Sequence, residues 1–244
     1  MKPLYILAEK GELTDKQTID LETLAWIKKN AKPKRVFITK IYPNFKPLSI
    51  ERFRLFQPSE EWFARRDSIQ DIHGLPHILR VVIFSYILTQ ICQIKNYEPF
   101  LFSASIHDIQ RLSDKEDKDH GKRAALWLKS NSLNIKNTFK KEEIRGICFA
   151  VSNHDKKDLN FSSKSDRLFL DVLKTADALD RFRLPKIKWW PDEQFIPFKL
   201  DPQIYSLAKF LVFRSEQLIL NKKVDIFNSV AQAAMEVGIL EKHL

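Results

Sequence analysis

Residues 76–95, PHILRVVIFSYILTQICQIK, decide the fold because they predict a helix that is buried on nearly every side. Pro76 suits the first turn of a helix, where a backbone N–H has no partner within the helix. Apolar residues follow on all faces, as expected of a helix at the centre of a core. Polar residues such as Ser85, Thr89 and Gln90 interrupt the run. Since a membrane span needs about 20 mostly apolar residues, we predict a core helix and no membrane partner.

Helical periodicity continues towards the C-terminus of the chain. The chain has only five glycines, which disfavours a glycine-rich nucleotide loop and a turn-rich β architecture. We therefore predict a mainly all-α fold, a helical bundle. Its further helices are expected over residues 98–111, 120–131, 140–153, 166–183, 202–221 and 223–240.

The N-terminal residues show a different pattern. Residues 3–8 (PLYILA) and 35–42 (RVFITKIY) have the β-branched and aromatic content of strands. Between them, Thr14 and Gln17 fit a capping box at the start of a helix. We therefore predict a small β-α-β piece within an N-terminal extension, residues 1–65.

The remaining chain divides into a helical core, residues 66–184, and C-terminal helices, residues 185–244, that pack on it. Cys92 and Cys148 lie far apart in apolar runs and predict free thiols in a reducing compartment. The N-terminus lacks the long apolar segment of a signal peptide, so we expect a cytoplasmic protein. The net charge of +10 favours anionic partners, and the oligomeric state is left open.

Four ionisable residues interrupt the core pattern of three predicted helices. His77 lies in the first turn of the central helix, His107 and Asp108 end an apolar run, and Asp177 lies among core residues. Burying such groups is costly unless a metal or a counter-charge offsets the desolvation. Two imidazoles and two carboxylates without thiolate suit Mn, Fe, Ni, Co, Zn or Mg.

Several of these residues have alternative interpretations. A lone histidine on an apolar face is often a hydrogen-bonded core residue, and Asp177 could pair with Arg181 at i,i+4. Asp180, one turn further, is a second candidate ligand. His73 and His77 have the spacing of helical zinc ligands. However, Pro76 is tolerated only at a helix start, so we expect His73 to precede the helix.

The order of these residues resembles the HD superfamily of metal-dependent phosphohydrolases, whose motif is a His, an adjacent His-Asp pair and a distant Asp. The first His stands in H-x-x-R-V, the pair in SIHDIQR and the last Asp in ADALD. The resemblance covers roughly residues 70–184. It implies a divalent ion held by His77, His107, Asp108 and Asp177.

Two further histidines, His120 in DHGKRAALWL and His154 in SNHD, occur where many binuclear members of this superfamily carry extra ligands. The resemblance therefore implies a second ion on these histidines, with Asp108 bridging. Two ions about 3.5–4 Å apart can clamp the attacking and leaving oxygens of a phosphoester. Mononuclear members also exist, and in them the two histidines would bind substrate phosphate. The sequence does not decide whether one ion or two bind. The reaction needs no organic cofactor.

Three residues are candidate substrate contacts. Arg80 and Arg111 carry guanidinium groups that suit phosphate oxygens, although a structural ion pair is an equal alternative for each. His73, by resemblance, is expected in a supporting or substrate contact. The candidate catalytic group is His107, Asp108 and Arg111. The polar run 114–119 (DKEDKD) predicts a mobile loop at the cavity mouth.

The resemblance implies hydrolysis of a phosphoester or phosphoanhydride by metal-activated water, on a nucleotide or small phosphorylated metabolite. One alternative is a nuclease for single-stranded nucleic acid. The basic segment 32–35 (KPKR) and an exposed Trp189–Trp190 pair would then form its binding surface. The other is a non-catalytic HD sensor or interaction module whose N-terminal piece docks a partner.

Overall fold

The computed structural model describes residues 2–131, 138–156, 163–221 and 224–242. These residues form a helical bundle with one two-stranded sheet, so the predicted all-α class is confirmed. The strands are β1 (Leu48–Ser49) and β2 (Leu240–Glu241). The helices are α1 (Leu4–Lys10), α2 (Leu21–Ala31), α3 (Ile38–Ile41), α4 (Ile50–Arg54), α5 (Leu75–Ile91), α6 (Glu98–Ile106), α7 (His120–Ser130), α8 (Lys141–Asn153), α9 (Lys164–Asp180), α10 (Pro202–Leu220) and α11 (Ile226–Met235).

Helix α5 is the centre of the bundle, as its sequence predicts. Every residue from Leu75 to Thr89 is buried, and the helix packs against α6, α9, α10 and α11. Pro76 lies in the first turn and Gly74 is the N-cap. No helix among the described residues is long and apolar enough to cross a membrane.

The other predicted helices are present, with ends that differ by a few residues. Helix α11 is shorter than predicted at both ends, and α6 ends at Ile106 instead of residue 111. The turn that follows contains His107 and Asp108, and it closes where the Arg111 backbone N–H donates to the carbonyl of Asp108. The helix therefore stops where the ionisable pair begins.

The predicted N-terminal strands are wrong. Residues 4–10 form α1, and residues 38–41 form the short helix α3. Leu4 and Ala8, four residues apart, are both buried, so one helical face packs inward. In segments this short, tertiary packing overrides a weak β propensity.

The predicted capping box at Thr14 is also wrong. The N-cap of α2 is Asp20, whose carboxylate accepts a hydrogen bond from the Thr23 backbone N–H. Thr14 instead donates its hydroxyl to the carbonyl of Lys16. An aspartate directly before the apolar run is therefore the signal that starts this helix.

The N-terminal extension closes onto the C-terminal end of the chain. Strand β1 pairs with β2 in parallel, with Leu48 opposite Leu240. The backbone N–H of Ile38 donates to the carbonyl of Val237 at 2.9 Å. These backbone hydrogen bonds join residues 38–49 of the N-terminal extension to residues 237–241.

Candidate metal centre

Five helix ends converge on one point in the bundle. The first turns of α5 and α7, the turns after α6 and α8, and the last turn of α9 all meet there. The histidines and one aspartate at this point are buried, and the other aspartate is about one-third exposed. These ends bring together all six predicted ligands: His77, His107, Asp108, His120, His154 and Asp177.

One group of donor atoms lies around His77. Its Nε2 is 3.1 Å from Nε2 of His107 and 3.4 Å from Oδ1 of Asp177. Oδ2 of Asp108 lies 3.6 Å from the His77 Nε2 and 3.9 Å from the His107 Nε2. The ring nitrogens therefore face each other and the carboxylates, as ligands do around a shared ion.

A second group lies on the other side of Asp108. Nε2 of His120 and Nε2 of His154 are 2.9 Å apart. Oδ1 of Asp108 lies 3.1 Å from the first and 3.5 Å from the second. Each carboxylate oxygen of Asp108 thus faces a different pair of histidines, which is the geometry a bridging ligand needs.

The other ring nitrogen, Nδ1, determines which nitrogen carries the proton. In His107, His120 and His154, Nδ1 lies against the backbone carbonyl oxygen three residues earlier. A carbonyl oxygen only accepts, so these hydrogen bonds place the proton on Nδ1. A neutral ring then presents an unprotonated Nε2, the form that binds metal ions.

These lone pairs make the centre suited to a cation. Burial lowers the pKa of His107 to about 3, so this ring is neutral at pH 7. Although burial opposes its charge, the guanidinium of Arg111 holds the pKa of Asp108 well below its ordinary value. Unprotonated nitrogens about 3 Å apart repel each other, and a divalent ion between them removes that repulsion. The described residues thus form two buried groups that can hold metal ions, and they share Asp108.

Asp180 supports the centre from behind instead of pointing into it. Its Oδ2 lies 2.8 Å from Nδ1 of His77, so it accepts a hydrogen bond from Nδ1–H and leaves the unprotonated Nε2 facing the cluster. Asp177, which contacts Nε2 of His77, is the better placed of the two candidate ligands.

The prediction that Arg80 contacts phosphate is wrong. The side chain is buried and directed into the core. Its Nε donates to Oδ1 of Asp180 at 2.5 Å, and its Nη1 donates to Ser215 and, at 2.6 Å, to Glu216. Because its three nitrogens all have internal acceptors, Arg80 is a structural cation behind His77.

Arg111 and His73 line a small cavity beside Asp108. Nη1 of Arg111 lies 3.4 Å from Oδ1 of Asp108 and 3.2 Å from Nε2 of His120. His73 precedes α5, as predicted, and its Nδ1 lies 3.0 Å from Oδ1 of Asp114. Both side chains are close enough to meet a substrate at the cluster, but their roles stay predictions.

Two residues of the run 114–119 are anchored by hydrogen bonds, and the mobility of the run stays a prediction. Asp114 is buried, and its Oδ2 accepts the backbone N–H of Gln17 at 2.7 Å. Asp117 accepts the backbone N–H of Leu112 and pairs with Arg123 at 2.5 Å. These anchoring roles could not be recognised from the sequence, because Asp114 and Asp117 lie in a run that consists of charged residues.

The prediction that Trp189 and Trp190 form an exposed stacking pair is wrong for Trp190. Its indole N–H donates to the carbonyl of Leu184, and its ring packs edge-on against Trp26 and Phe182. It therefore belongs to the packing of α2 against the loop after α9.

Gly121 sets the distance between α7 and α8. A Cβ at this position would lie 2.3 Å from the carbonyl oxygen of Val151, which accepts from His154. We expect Gly121→Ala to lower the free energy of unfolding by about 1–3 kcal/mol, because the helices must separate, and to weaken metal binding. Urea unfolding and metal titration measure both effects. The exposed Lys122→Ala is the matched control on the same helix, and an unchanged Gly121→Ala protein would contradict this close packing.

The buried carboxyl group of Asp114 is expected to make the stability of the protein depend on pH. Burial raises its pKa to about 7, whereas an unfolded aspartate has a pKa of about 4. Between these values the folded state binds more protons, so Asp114 makes stability fall as pH rises from 4 to 7. The free energy of unfolding should be larger at pH 5 than at pH 8, and we expect Asp114→Asn to reduce this difference by on the order of 2 kcal/mol. Urea unfolding at both pH values tests this, and an identical difference in the variant would refute it.

The chain matches no known protein-family model, no curated protein and no solved structure in the three comparisons made. The geometry of the cluster and the sequence motif are therefore the basis for assigning a function.

Proposed function

We propose that the protein is a metal-dependent phosphohydrolase that cleaves a phosphoester or phosphoanhydride of a nucleotide or small phosphorylated metabolite. One observation carries the proposal: two buried pairs of histidines face each other across Asp108, and each oxygen of Asp108 is directed at a different pair. The resemblance of the motif to the HD superfamily supports the same reaction class.

The residues that would hold the ions follow from the two groups of donor atoms. His77, His107, Asp108 and Asp177 would hold one, and His120 and His154 would hold a second with Asp108 shared. Bound divalent ions supply positive charge for the phosphate oxygens and activate the attacking water. Asp180 and the three backbone carbonyls hold the imidazole rings in the orientation that ligation requires.

Arg111 is positioned to bind the substrate. Its Nε donates to the carbonyl of Ser113 and its Nη2 to that of Lys115, so the guanidinium is anchored on one side. Its Nη1 is directed at the cluster, where it would donate to a phosphate oxygen and stabilise the charge that develops during the reaction. In the same cavity, Asp114 fixes the His73 ring through Nδ1, which leaves Nε2 for a substrate oxygen.

The test is phosphate release from a panel of nucleotides and sugar phosphates, with Mn²⁺, Ni²⁺, Co²⁺ or Mg²⁺ added to chelator-treated protein. We expect His107→Ala and Asp108→Ala each to lower kcat/KM by about a thousandfold or more, because each removes a ligand of the activating ion. The matched control is Asp166→Asn, which alters a buried aspartate in the first turn of α9, outside the two groups. Full activity in both ligand variants would overturn the proposal. Degradation of single-stranded DNA or RNA, with no small substrate cleaved, would favour the nuclease alternative.

A further inference from the structure

One segment of the chain carries most of its excess positive charge. Residues 23–50 contain no aspartate or glutamate. None of the basic residues in this segment forms an ion pair within the described chain, so the charge is available to an anionic partner. The basic residues number seven: Lys28, Lys29, Lys32, Lys34, Arg35, Lys40 and Lys46.

This basic segment leads into a groove at the C-terminal end of α5. The groove has a volume of about 660 Å³ and lies between residues 42–46 and residues 86–97. The rings of Tyr42 and Tyr97 are half-buried in its wall, while Lys46 and Lys95 are exposed beside them. The amides of Gln90 and Gln93 also line it.

The groove is separate from the metal centre. His77 lies in the first turn of α5, and Gln90 lies 13 positions later near the end of the same helix. At 1.5 Å of rise per residue, the two positions are about 20 Å apart along the helix axis. A ligand in the groove would therefore not be a ligand of the cluster.

We propose that this groove binds single-stranded nucleic acid. Tyrosine rings provide faces on which bases stack, and lysines neutralise the phosphates that connect them. Side-chain amides can hydrogen-bond to the exposed edges of unpaired bases. The basic residues that precede Lys46 in the sequence add further positive charge to the same chain segment, which a strand of several phosphates would need.

The lining of the groove favours nucleic acid over an anionic membrane. Membrane-surface binding needs exposed apolar side chains that enter the acyl boundary. The large apolar side chains exposed in the described chain, which include Phe37, Leu55 and Phe195, do not line this groove. The concave shape and the amides instead suit a ligand with flat rings and hydrogen-bonding edges.

The first test measures charge. Anisotropy of a labelled 12-nucleotide oligo-U RNA and oligo-dT DNA is titrated with the full chain at several salt concentrations. We expect Lys46→Gln/Lys95→Gln to weaken binding about tenfold and to reduce the slope of log K against log salt by about 2. The matched control, Lys186→Gln/Lys188→Gln, removes the same charge outside the groove and should change the affinity less than threefold.

The second test measures stacking. Tyr42→Leu and Tyr97→Leu keep an apolar side chain but remove the ring, so each should weaken binding at least fivefold with an unchanged salt slope. Absence of oligonucleotide binding at low salt would overturn the proposal, as would equal losses in the groove variant and the lysine control. Tighter binding to phosphatidylserine vesicles, lost in the same groove variants, would assign the surface to membranes instead. His107→Ala should bind the oligonucleotides like the wild type. Loss of the proposed hydrolase activity and loss of oligonucleotide binding can therefore be told apart.

Discussion

Replacing Arg80 with alanine is expected to lower the free energy of unfolding by about 3–5 kcal/mol, because it leaves buried charges without a partner. The guanidinium donates to Asp180 and Glu216, and all three side chains are buried. Although burial opposes its ionisation, Arg80 and Arg183 lower the pKa of Asp180 to about 2. Removing Arg80 takes away the largest of these favourable charges, and it leaves the buried carboxylates of Asp180 and Glu216 without their shared counter-charge. Urea unfolding at pH 7 measures the loss.

An exposed ion pair provides the control for this experiment. Lys122 pairs with Asp119 at 2.9 Å, and both side chains are mostly exposed. Lys122→Ala should therefore change stability by less than about 0.5 kcal/mol. A loss below about 1 kcal/mol in Arg80→Ala would show that the buried ion network does not stabilise the bundle.

The second large effect is on metal binding. Replacing Asp108 with asparagine should weaken the binding of Mn²⁺ or Zn²⁺ by more than about a hundredfold, because both groups lose their shared carboxylate. The amide keeps the size of the side chain but has a single oxygen and no negative charge. Isothermal titration calorimetry on chelator-treated protein measures affinity and stoichiometry together.

Two further variants make this measurement specific. Asp166→Asn changes a buried aspartate in the first turn of α9, outside both groups, and should leave binding unchanged. His120→Ala removes a ligand from one group only, so a protein that binds two ions should retain one. Unchanged affinity and stoichiometry in Asp108→Asn would contradict the bridging role.

The long helices could be predicted from sequence, whereas the short N-terminal elements could not. Helices α5 and α10 have apolar patterns over many turns, and both are present with nearly the predicted ends. Segments such as 3–8 and 35–42 are too short for periodicity to decide between strand and helix. Their conformation depends on packing against distant residues, such as Val237 opposite Ile38.

The candidate ligands could also be predicted from the sequence, but the buried residues that position them could not. His77, His107 and Asp177 are spaced as the motif requires, and the structure brings them together. Arg80 is only three positions from His77, so sequence alone placed it near the same cluster. Its acidic partners are Asp180 and Glu216, and Glu216 is an acidic residue within the largely apolar helix α10. A buried acid on one helix and a buried base on another were a signal of a structural pair, but their contact spans 136 positions.

The most direct test of the metal centre is anomalous diffraction from a crystal of the protein grown with Mn²⁺ or Zn²⁺, measured at the absorption edge of the ion. We predict a peak about 2.0–2.3 Å from Nε2 of His77 and His107. If two ions bind, a second peak lies near His120 and His154, with Asp108 between the two. Absence of any anomalous peak within this cluster, under conditions where the ion binds elsewhere on the protein, would contradict the account.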